Sequence, residues 1–291
     1  MSSVDAKKII ETQRQSWDSV APAWEKWDKT LEQGLTFVSY RLIGDARISP
    51  GQRVLDLGCG TGYPSILAAQ AVGHRGTVVG LDLSENMLAV ARRKAEGAGV
   101  KNISYHANDV SSLPYEAASF DAVISRFCLM FLPDVNGALN EIARVLKDGG
   151  YLSAAVWSTA DKNPFVRIPM EVLKRYIDVP APPPDQPGIF RLAKAGDLLG
   201  MTSSAGLSGM ADEEVSGETI FDSAEDYLAN VKEMAAPLQP LFARLTTEQK
   251  VAAEGEIMNA VTKYKSGDKI ALPMVFRIVV ARKQSLSVTP R

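Results

Sequence analysis

Residues 54–62 read Val-Leu-Asp-Leu-Gly-Cys-Gly-Thr-Gly and form the most informative stretch of the chain. A short apolar run leads into three glycines at alternate positions, Gly58, Gly60 and Gly62, and a helical stretch follows from 63 to 72. Glycine is required where a turn is tight or where a ligand touches the main chain. The stretch therefore predicts a strand, a ligand-binding loop and a helix, in that order.

The same loop excludes two common phosphate-binding patterns. A dinucleotide loop of the G-x-G-x-x-G type would have its third glycine at position 63, where this chain has Tyr63. A Walker A loop would continue with Gly-Lys-Ser or Gly-Lys-Thr, which does not follow here. Asp56, just before the loop, is unfavourable beside a pyrophosphate because both are negative, but it suits a ligand that carries an ammonium group.

Short apolar runs alternate with helical stretches on the C-terminal side of this loop. Further strands are predicted at 77–82, 102–107, 120–125 and 151–157, and further helices at 85–97 and 134–146. Such alternation is typical of βαβ units in a parallel sheet. We therefore predict an α/β fold with a doubly wound, mostly parallel sheet.

Polar side chains follow the second and third predicted strands. Asp82 ends the second strand, where an acidic residue can accept both hydroxyls of a ribose. Asn108 and Asp109 follow the third strand and can take up an adenine amino group. Because the carboxyl ends of the first strands share one crevice, the ligand is predicted to span it. Its amino-acid end would lie near Asp56 and Gly58, its ribose at Asp82 and its adenine near Asp109, with no phosphate required.

Five successive motifs resemble those of class I S-adenosylmethionine-dependent methyltransferases. They are Asp56-x-Gly58-x-Gly60-x-Gly62, Asp82, Asn108-Asp109, Asp121-Ala-Val-Ile-Ser125 and Leu146-Lys-Asp-Gly-Gly150. The resemblance covers residues 50–157. It implies S-adenosylmethionine as cofactor and a Rossmann-like, seven-stranded sheet. Its last two strands would lie near 211–220 and 272–282, the final one antiparallel.

The resemblance also implies roles for individual residues. Asp82 would bind the ribose hydroxyls, and Leu83 and Met87 would flank the adenine. Asp109 would contact the adenine amino group, and Val110 would pack beside it. The loop at 125–127 would border the methionine end and the substrate. The full predicted cofactor-binding set is Asp56, Gly58, Cys59, Gly60, Gly62, Asp82, Leu83, Met87, Asn108, Asp109, Val110, Ser125 and Trp24.

Residues 1–48, at the N-terminus, are predicted to form a helical cap. Its stretch Trp17-Asp-Ser-Val-Ala21-x-x-Trp24 resembles an element of the ubiquinone/menaquinone C-methyltransferase (type 11) group, with tryptophans in place of Phe and Tyr. This resemblance implies that Trp24 lies over the bound cofactor. Because proline favours the first position of a helix, we expect a helix break near 20–21, a new helix from Pro22 and a third after Gly34.

Three further segments complete the predicted organisation. Residues 49–160 form the S-adenosylmethionine-binding core, and 161–283 form an insertion that covers the substrate and carries the last strands. Five prolines between Pro180 and Pro187 predict a rigid, irregular connection. Residues 284–291 are predicted to be a frayed tail.

Composition excludes several classes of protein. The 291 residues carry a net charge of −2, and this lack of a basic excess argues against nucleic acid as a partner. Two cysteines and two histidines provide neither a disulfide framework nor a spacing for a metal site. The chain shows neither a signal peptide nor an apolar run long enough for a membrane helix, so we expect a cytoplasmic protein.

The sequence thus predicts methyl transfer from S-adenosylmethionine to a small apolar or aromatic acceptor, at carbon, nitrogen or oxygen. No catalytic base is selected, since His106 is more typical of a structural strand histidine. Arg126 is either an anchor for an anionic substrate or part of a surface salt bridge. A catalytically silent, cofactor-binding partner subunit is the alternative from another class, and an NAD-dependent oxidoreductase is disfavoured by Tyr63.

Overall fold

One mixed β-sheet forms the centre of the molecule. The structure is a computed structural model and describes residues 3–179, 183 and 186–284. The strands are β1 Arg53–Leu57, β2 Thr77–Asp82, β3 Ile103–Ala107, β4 Phe120–Arg126, β5 Leu146–Trp157, β6 Leu207–Phe221, β7 Lys265–Ser266 and β8 Lys269–Lys283. Their order is β3-β2-β1-β4-β5-β8-β6, with the two-residue β7 paired to β8. The first five strands are parallel, and β8 is antiparallel to both β5 and β6. The predicted fold class is confirmed, with β7 added to the seven-stranded path.

Helices flank this sheet and extend beyond it. They are α1 Ser3–Lys26, α2 Asp28–Asp45, α3 Tyr63–Val72, α4 Glu85–Gly97, α5 Val135–Val145, α6 Pro164–Tyr176, α7 Asp197–Ser204, α8 Ala224–Met234, α9 Gln239–Ala243 and α10 Thr247–Val261. Three short 3-10 turns lie at Leu129–Phe131, Ala160–Lys162 and Thr262–Tyr264. No helix in the described ranges is long and apolar enough to cross a bilayer.

The central strands are apolar because helices cover both faces of a parallel sheet. Leu55, Leu57, Leu81 and Ile124 on β1, β2 and β4 are fully buried. Their burial packs the sheet tightly against its helices, which fixes the carboxyl ends of β1, β2 and β4 relative to one another. The glycine loop and the residues after β2 and β4 therefore start from rigid positions.

The predicted helix break at Pro22 is wrong. Helix α1 continues through Pro22, and the break comes at Trp27. A proline inside a helix leaves the carbonyl four residues earlier without its amide donor. Here that carbonyl belongs to Asp18, and it accepts a hydrogen bond of 3.1 Å from the Asn86 side-chain amide. A tertiary contact thus replaces the missing helical bond.

Helix α2 likewise runs through Gly34, where the sequence predicted a break. A Cβ at Gly34 would lie 2.6 Å from the Met274 side chain and 3.1 Å from the Glu218 carbonyl oxygen. Gly34 is therefore present because α2 packs closely on β6 and β8, and it does not end a helix.

A second hydrophobic core lies beyond the end of β5. The pairing of β5 with β8 ends at Trp157 and Phe276, whereas β6 and β8 remain paired as far as Phe221 and Ile270. These two projecting strands pack against α6, α8, α9 and α10. The buried core residues include Ile168, Leu173, Tyr227, Val231, Phe242, Ile257, Val261, Ile270 and Leu272.

Helix α6 was not predicted, because Pro164 and Pro169 obscure its pattern. Pro169 lies inside the helix and leaves the Phe165 carbonyl without its amide donor. The Tyr227 hydroxyl donates to that carbonyl at 2.7 Å. Further along the chain, α7 is short and begins only at Asp197. Two predictions fall partly outside the described residues. The undescribed parts are 180–182 and 184–185 of the proline-rich connection and 285–291 of the tail.

Candidate functional site

The glycine loop links β1 to α3 and has one open side. Gly60 has a φ of +52°, and a Cβ placed there would meet no atom within 4 Å, so the loop leaves room for a ligand. Gly62 has a φ of +86°, and its Cβ would lie 2.8 Å from that of Ala91, so glycine permits α3 and α4 to approach. Cys59 lies beneath the loop, buried, with its amide donating to the Leu81 carbonyl at 3.0 Å. Cys59 therefore supports the loop from the sheet side.

Asp82, at the end of β2, joins the loop to the next helix. One carboxylate oxygen accepts from the Gly60 amide at 2.9 Å, and the other accepts from the Ser84 amide at 2.9 Å. Desolvation raises the pKa of Asp82 and the nearby Asp18 carboxylate adds to this, whereas the amides of Ser84 and Gly60 lower it. Each carboxylate oxygen has a second lone pair, so the group can still accept hydrogen bonds from a diol.

Asp56 lies at the base of the loop and is fully buried. Its Oδ2 accepts from the Ser65 hydroxyl at 2.5 Å, and its Oδ1 has no hydrogen-bond partner. Burial raises the pKa of Asp56 to about 6, and the Ser65 hydrogen bond and the charge of Arg126 oppose this rise. A buried carboxylate oxygen without a donor is costly. A ligand ammonium group at this position would supply the missing partner.

The residues after β3 form a tight turn beside Asp82. The Asn108 amide donates to the Asp82 carbonyl at 3.0 Å. Both Asp109 carboxylate oxygens accept from Ser111, one from its amide and one from its hydroxyl. Val110 is buried, and Met87 in the first turn of α4 is also buried. The structure thus gathers four predicted adenine-side residues near the end of β2.

Trp24 lies on the inner side of α1, against α8. Its indole N–H points to the Met234 carbonyl at 3.4 Å, and its ring packs on the cluster that contains Met87 and Ala236. Trp17 meets Trp24 edge to face at 5.9 Å and Phe131 at 5.5 Å. Trp24 therefore lies beside the cluster that contains Met87, while its indole N–H points to the Met234 carbonyl.

The sequence analysis did not select Asp18, although it quoted the stretch that contains it. Asp18 Oδ1 accepts from the Ser84 hydroxyl at 2.6 Å and from the Asn86 amide at 3.3 Å. These contacts attach α1 to the beginning of α4, next to Asp82. The position of Asp18 one residue after Trp17 is the only sequence signal that could have indicated it.

Arg126, the last residue of β4, belongs to a buried ion pair. Its guanidinium donates to both carboxylate oxygens of Glu32, at 3.0 and 3.1 Å, and to the Ser39 hydroxyl at 2.9 Å. The Arg126 and Glu32 side chains are only 9% and 11% exposed. Of the two alternatives for Arg126, the salt bridge is present, but it is buried rather than at the surface because α2 covers the pair. Ser125 beneath it donates to the Leu57 carbonyl at 3.2 Å.

Phe127 begins an aromatic wall that the sequence analysis also missed. It has a φ of +61°, a left-handed conformation that is strained for a bulky residue. Its ring stacks on Trp157 at 5.3 Å and contacts Phe276 at 5.0 Å. Trp157 in turn lies parallel to Phe165 at 6.4 Å. The wall connects the ends of β4 and β5 to the second hydrophobic core.

His106 lies on the edge strand β3 and is exposed. Its ring contacts the Ser104 hydroxyl at 3.2 Å and the Tyr115 ring edge to face. These contacts are those of a structural strand histidine, in line with the interpretation favoured from the sequence.

Comparisons with known proteins agree with this geometry. Residues 48–176 match the family described as "Methyltransferase domain". Aklanonic acid methyltransferase DauC of Streptomyces sp. (strain C5) is 36% identical over 127 residues, which is 44% of this chain and 58% of that protein. Demethylmenaquinone methyltransferase of Bacillus cereus (strain ATCC 10987 / NRS 248) is 43% identical over 103 residues, 35% of this chain and 44% of that protein. The chain thus spans about half the length of these curated relatives.

Solved structures with the same fold cover more of the chain. The [4+2]-cyclase SpnF is 25% identical with a TM-score of 0.54, over 85% of this chain and 80% of that one. A putative methyltransferase from Bacillus halodurans C-125 is 21% identical with a TM-score of 0.58, over 85% of this chain and 99% of that one. The latter likeness supports the fold alone.

The family match over residues 48–176, the fold and the glycine loop together make this part of the chain similar to class I S-adenosylmethionine-dependent methyltransferase domains. Within that class, the 103 matched residues are similar to a demethylmenaquinone methyltransferase. S-adenosylmethionine is the cofactor of this class, and the residues present fit it. The open side of Gly60 leaves space, and the unpartnered Asp56 oxygen requires a donor.

Proposed function

We propose that the protein transfers a methyl group from S-adenosylmethionine to a small apolar or aromatic acceptor. The observation that carries this proposal is the Asp82 carboxylate, held between the Gly60 and Ser84 amides at the mouth of the glycine loop. A pyrophosphate would be repelled by two carboxylates here, whereas a cationic nucleoside without phosphates would not. The names of the two relatives, which specify aklanonic acid and demethylmenaquinone, support a small organic acceptor.

In this proposal each part of the cofactor has a partner in the chain. Asp82 accepts hydrogen bonds from the ribose hydroxyls. Asp56 faces the ammonium group, and Met87 and Val110 enclose the adenine. The same proposal includes further cofactor contacts, by Leu83, Asn108, Asp109, Ser125 and Trp24. Cys59 supports the glycine loop from below.

The acceptor is proposed to lie against the aromatic wall. The wall begins with Phe127, directly after β4, and continues through Trp157 and Phe165. Aromatic rings bind planar apolar molecules by stacking and by excluding water. This proposal includes the division into a cap at 1–48, a core at 49–160 and an acceptor-covering part at 161–283. It is supported by the packing of Phe165, a member of the wall, against the second hydrophobic core.

The chemistry needs positioning more than proton transfer. Bound S-adenosylmethionine supplies an electrophilic methyl group on a sulfonium, which is a good leaving group. Transfer would move that methyl group to the acceptor atom and leave the carbon–sulfur electron pair on sulfur, and the proton of the acceptor would pass to solvent. Asp82 and the glycine loop orient the donor, and the aromatic wall excludes water and orients the acceptor. The contacts of the Phe127 ring with Trp157 and Phe276 keep that ring in place.

The test is turnover with a panel of acceptors. Purified protein is incubated with methyl-labelled S-adenosylmethionine and with quinols, phenols, aromatic acids and amines. S-adenosylhomocysteine and methylated products are then quantified by mass spectrometry. We expect product with at least one aromatic acceptor and a large loss with Asp82→Ala. Failure of the wild-type protein to bind S-adenosylhomocysteine would contradict the proposal.

A second candidate is a cofactor-binding protein that performs no methyl transfer, including a silent partner subunit. One observation supports this second candidate: the [4+2]-cyclase SpnF shares this fold at 25% identity. Binding of S-adenosylhomocysteine without product on any acceptor would favour this second candidate. Methylated product would exclude it.

A further inference from the structure

Ser84 connects three parts of the molecule through one residue. Its amide donates to the Asp82 carboxylate at 2.9 Å, and its hydroxyl oxygen accepts from the Met87 amide at 3.1 Å as the cap of α4. The hydroxyl proton is left for one further partner, and it goes to Asp18 Oδ1 at 2.6 Å. Ser84 is fully buried, so these bonds do not exchange with bulk water. Asp18 is therefore linked to Asp82 through one buried residue, Ser84.

Asp18 makes this connection with two further bonds. Its Oδ1 also accepts from the Asn86 amide, one of the free donors at the start of α4. Its main-chain carbonyl, freed by Pro22, accepts from the Asn86 side chain. Arg14 pairs with the other carboxylate oxygen at 2.8 Å and keeps the side chain oriented. A negative charge at a helix N-terminus is favourable, so the docked position of Asp18 is stabilised.

Other contacts also hold α1: the Gln13 side-chain amide donates to the Phe131 carbonyl at 2.8 Å, Trp17 and Trp24 pack on the cluster with Met87, and two ion pairs lie at the surface. Between residues 5 and 26, Val20 and Ala21 are the buried side chains. The ion pairs of Glu25 with Arg93 and of Lys26 with Glu233 involve side chains that are 37–59% exposed. Exposed ion pairs contribute little to stability. Asp18 is therefore the polar attachment of α1 that lies next to Asp82, through Ser84.

We propose that Asp18 is a positioning residue for cofactor binding. It holds Ser84, and through it Asp82, in the geometry that receives the ribose, and it couples the docking of α1 to occupation of the site. The inference rests on the proposed function, since it needs a ribose at Asp82. Asp18 itself touches no cofactor atom in this account and acts only through Ser84.

The experiment is a comparison of two ligands in two variants. S-adenosylhomocysteine and its 2′,3′-dideoxy analogue, which lacks the ribose hydroxyls, are titrated calorimetrically into wild type, Asp18→Ala and Glu25→Gln. Glu25→Gln is the matched control, because Glu25 also joins α1 to α4 but does so at an exposed ion pair. We expect Asp18→Ala to weaken S-adenosylhomocysteine about tenfold, which corresponds to about 1.4 kcal/mol, and Glu25→Gln to leave it unchanged.

The analogue separates positioning from folding. If Asp18 acts through Asp82, its removal weakens the analogue by less than about twofold, because the affected hydrogen bonds are missing there. Equal weakening of both ligands, or none of S-adenosylhomocysteine, would overturn the inference. If Asp18→Ala does not fold, Asp18→Asn keeps an oxygen acceptor for Ser84, and a smaller loss with the same dependence on the hydroxyls is expected. A loss in Asp18→Asn that is equal for both ligands would again overturn it.

A second readout follows α1 directly. In the wild-type protein, S-adenosylhomocysteine is expected to slow hydrogen–deuterium exchange of α1 amides, and this protection is expected to be lost in Asp18→Ala but kept in Glu25→Gln. Protection of α1 in Asp18→Ala equal to that in wild type would contradict the coupling. A wild-type protein that does not bind S-adenosylhomocysteine contradicts the proposed function as well, whereas wild-type binding that is insensitive to Asp18 contradicts only this inference.

Discussion

Asp56 couples the proposed cofactor site to pH. Burial raises the pKa of Asp56 from an ordinary 3.8 to about 6. Between these two pH values, the folded chain without ligand holds a proton on Asp56 that the unfolded chain has released. Without ligand, this shift lowers the free energy of unfolding as pH rises from about 4 to about 6. A ligand ammonium group would favour the ionised form, so binding would release the proton below about pH 6.

We therefore predict that affinity for S-adenosylhomocysteine increases as pH rises from about 5 to about 6.5 and then levels off. Calorimetric titration at several pH values measures this slope, and Asp56→Asn is expected to flatten it. Asp82, whose pKa is also raised, is the other group that faces this site. An unchanged slope in Asp56→Asn would assign the dependence to Asp82 instead.

Phe127 is predicted to affect the acceptor and leave the cofactor alone. Phe127→Ala removes the ring that stacks on Trp157, so we expect KM for an aromatic acceptor to increase about tenfold, with unchanged affinity for S-adenosylhomocysteine. Phe127→Gly removes the same ring but tolerates the φ of +61°, so it should be more stable than Phe127→Ala by about 1 kcal/mol. Thermal melts compare the two variants, and equal stability would argue against backbone strain.

Helix α4 and helix α5 offer a matched test at the scale of secondary structure. Ser84 caps α4 by accepting from the Met87 amide, and Asp134 caps α5 by accepting from the Gly137 amide. Replacing either with alanine should cost about 1 kcal/mol of stability, because a free amide loses its acceptor. Only Ser84→Ala is expected to weaken S-adenosylhomocysteine, since only Ser84 joins Asp18 to Asp82. Equal affinity in both variants would contradict the role given to the start of α4.

The second hydrophobic core is predicted to serve the acceptor rather than the cofactor. Leu272 on β8 is fully buried in it, and Leu272→Ala should cost about 2–5 kcal/mol through the cavity that it leaves. Hydrogen–deuterium exchange should accelerate in α6, α8 and α10 and stay unchanged in β1 to β4. Acceptor turnover should decrease while S-adenosylhomocysteine still binds. The control is Val251→Ala, because Val251 on α10 is 70% exposed. Parallel losses of S-adenosylhomocysteine binding and acceptor turnover in Leu272→Ala would contradict this division.

Local patterns determined the parallel sheet and the cofactor loop. The glycines at 58, 60 and 62, the acid at Asp82 and the alternation of apolar runs with helices predicted β1 to β5 and their intervening helices closely. These signals are readable because they depend on neighbours in sequence: a turn that needs glycine, a cap that needs serine, and a buried strand that needs apolar residues.

Only the tertiary structure decided where the helices continue and which charges meet. Pro22 and Pro169 remain inside helices because Asn86 and Tyr227, distant in sequence, donate to the carbonyls that the prolines leave free. Arg126 meets Glu32 across 94 residues, and Asp18 meets Ser84 across 66. Packing determines these partners, because a hydrogen bond depends on the distance and direction between two groups in space. The local sequence specifies neither quantity for residues that are far apart in the chain.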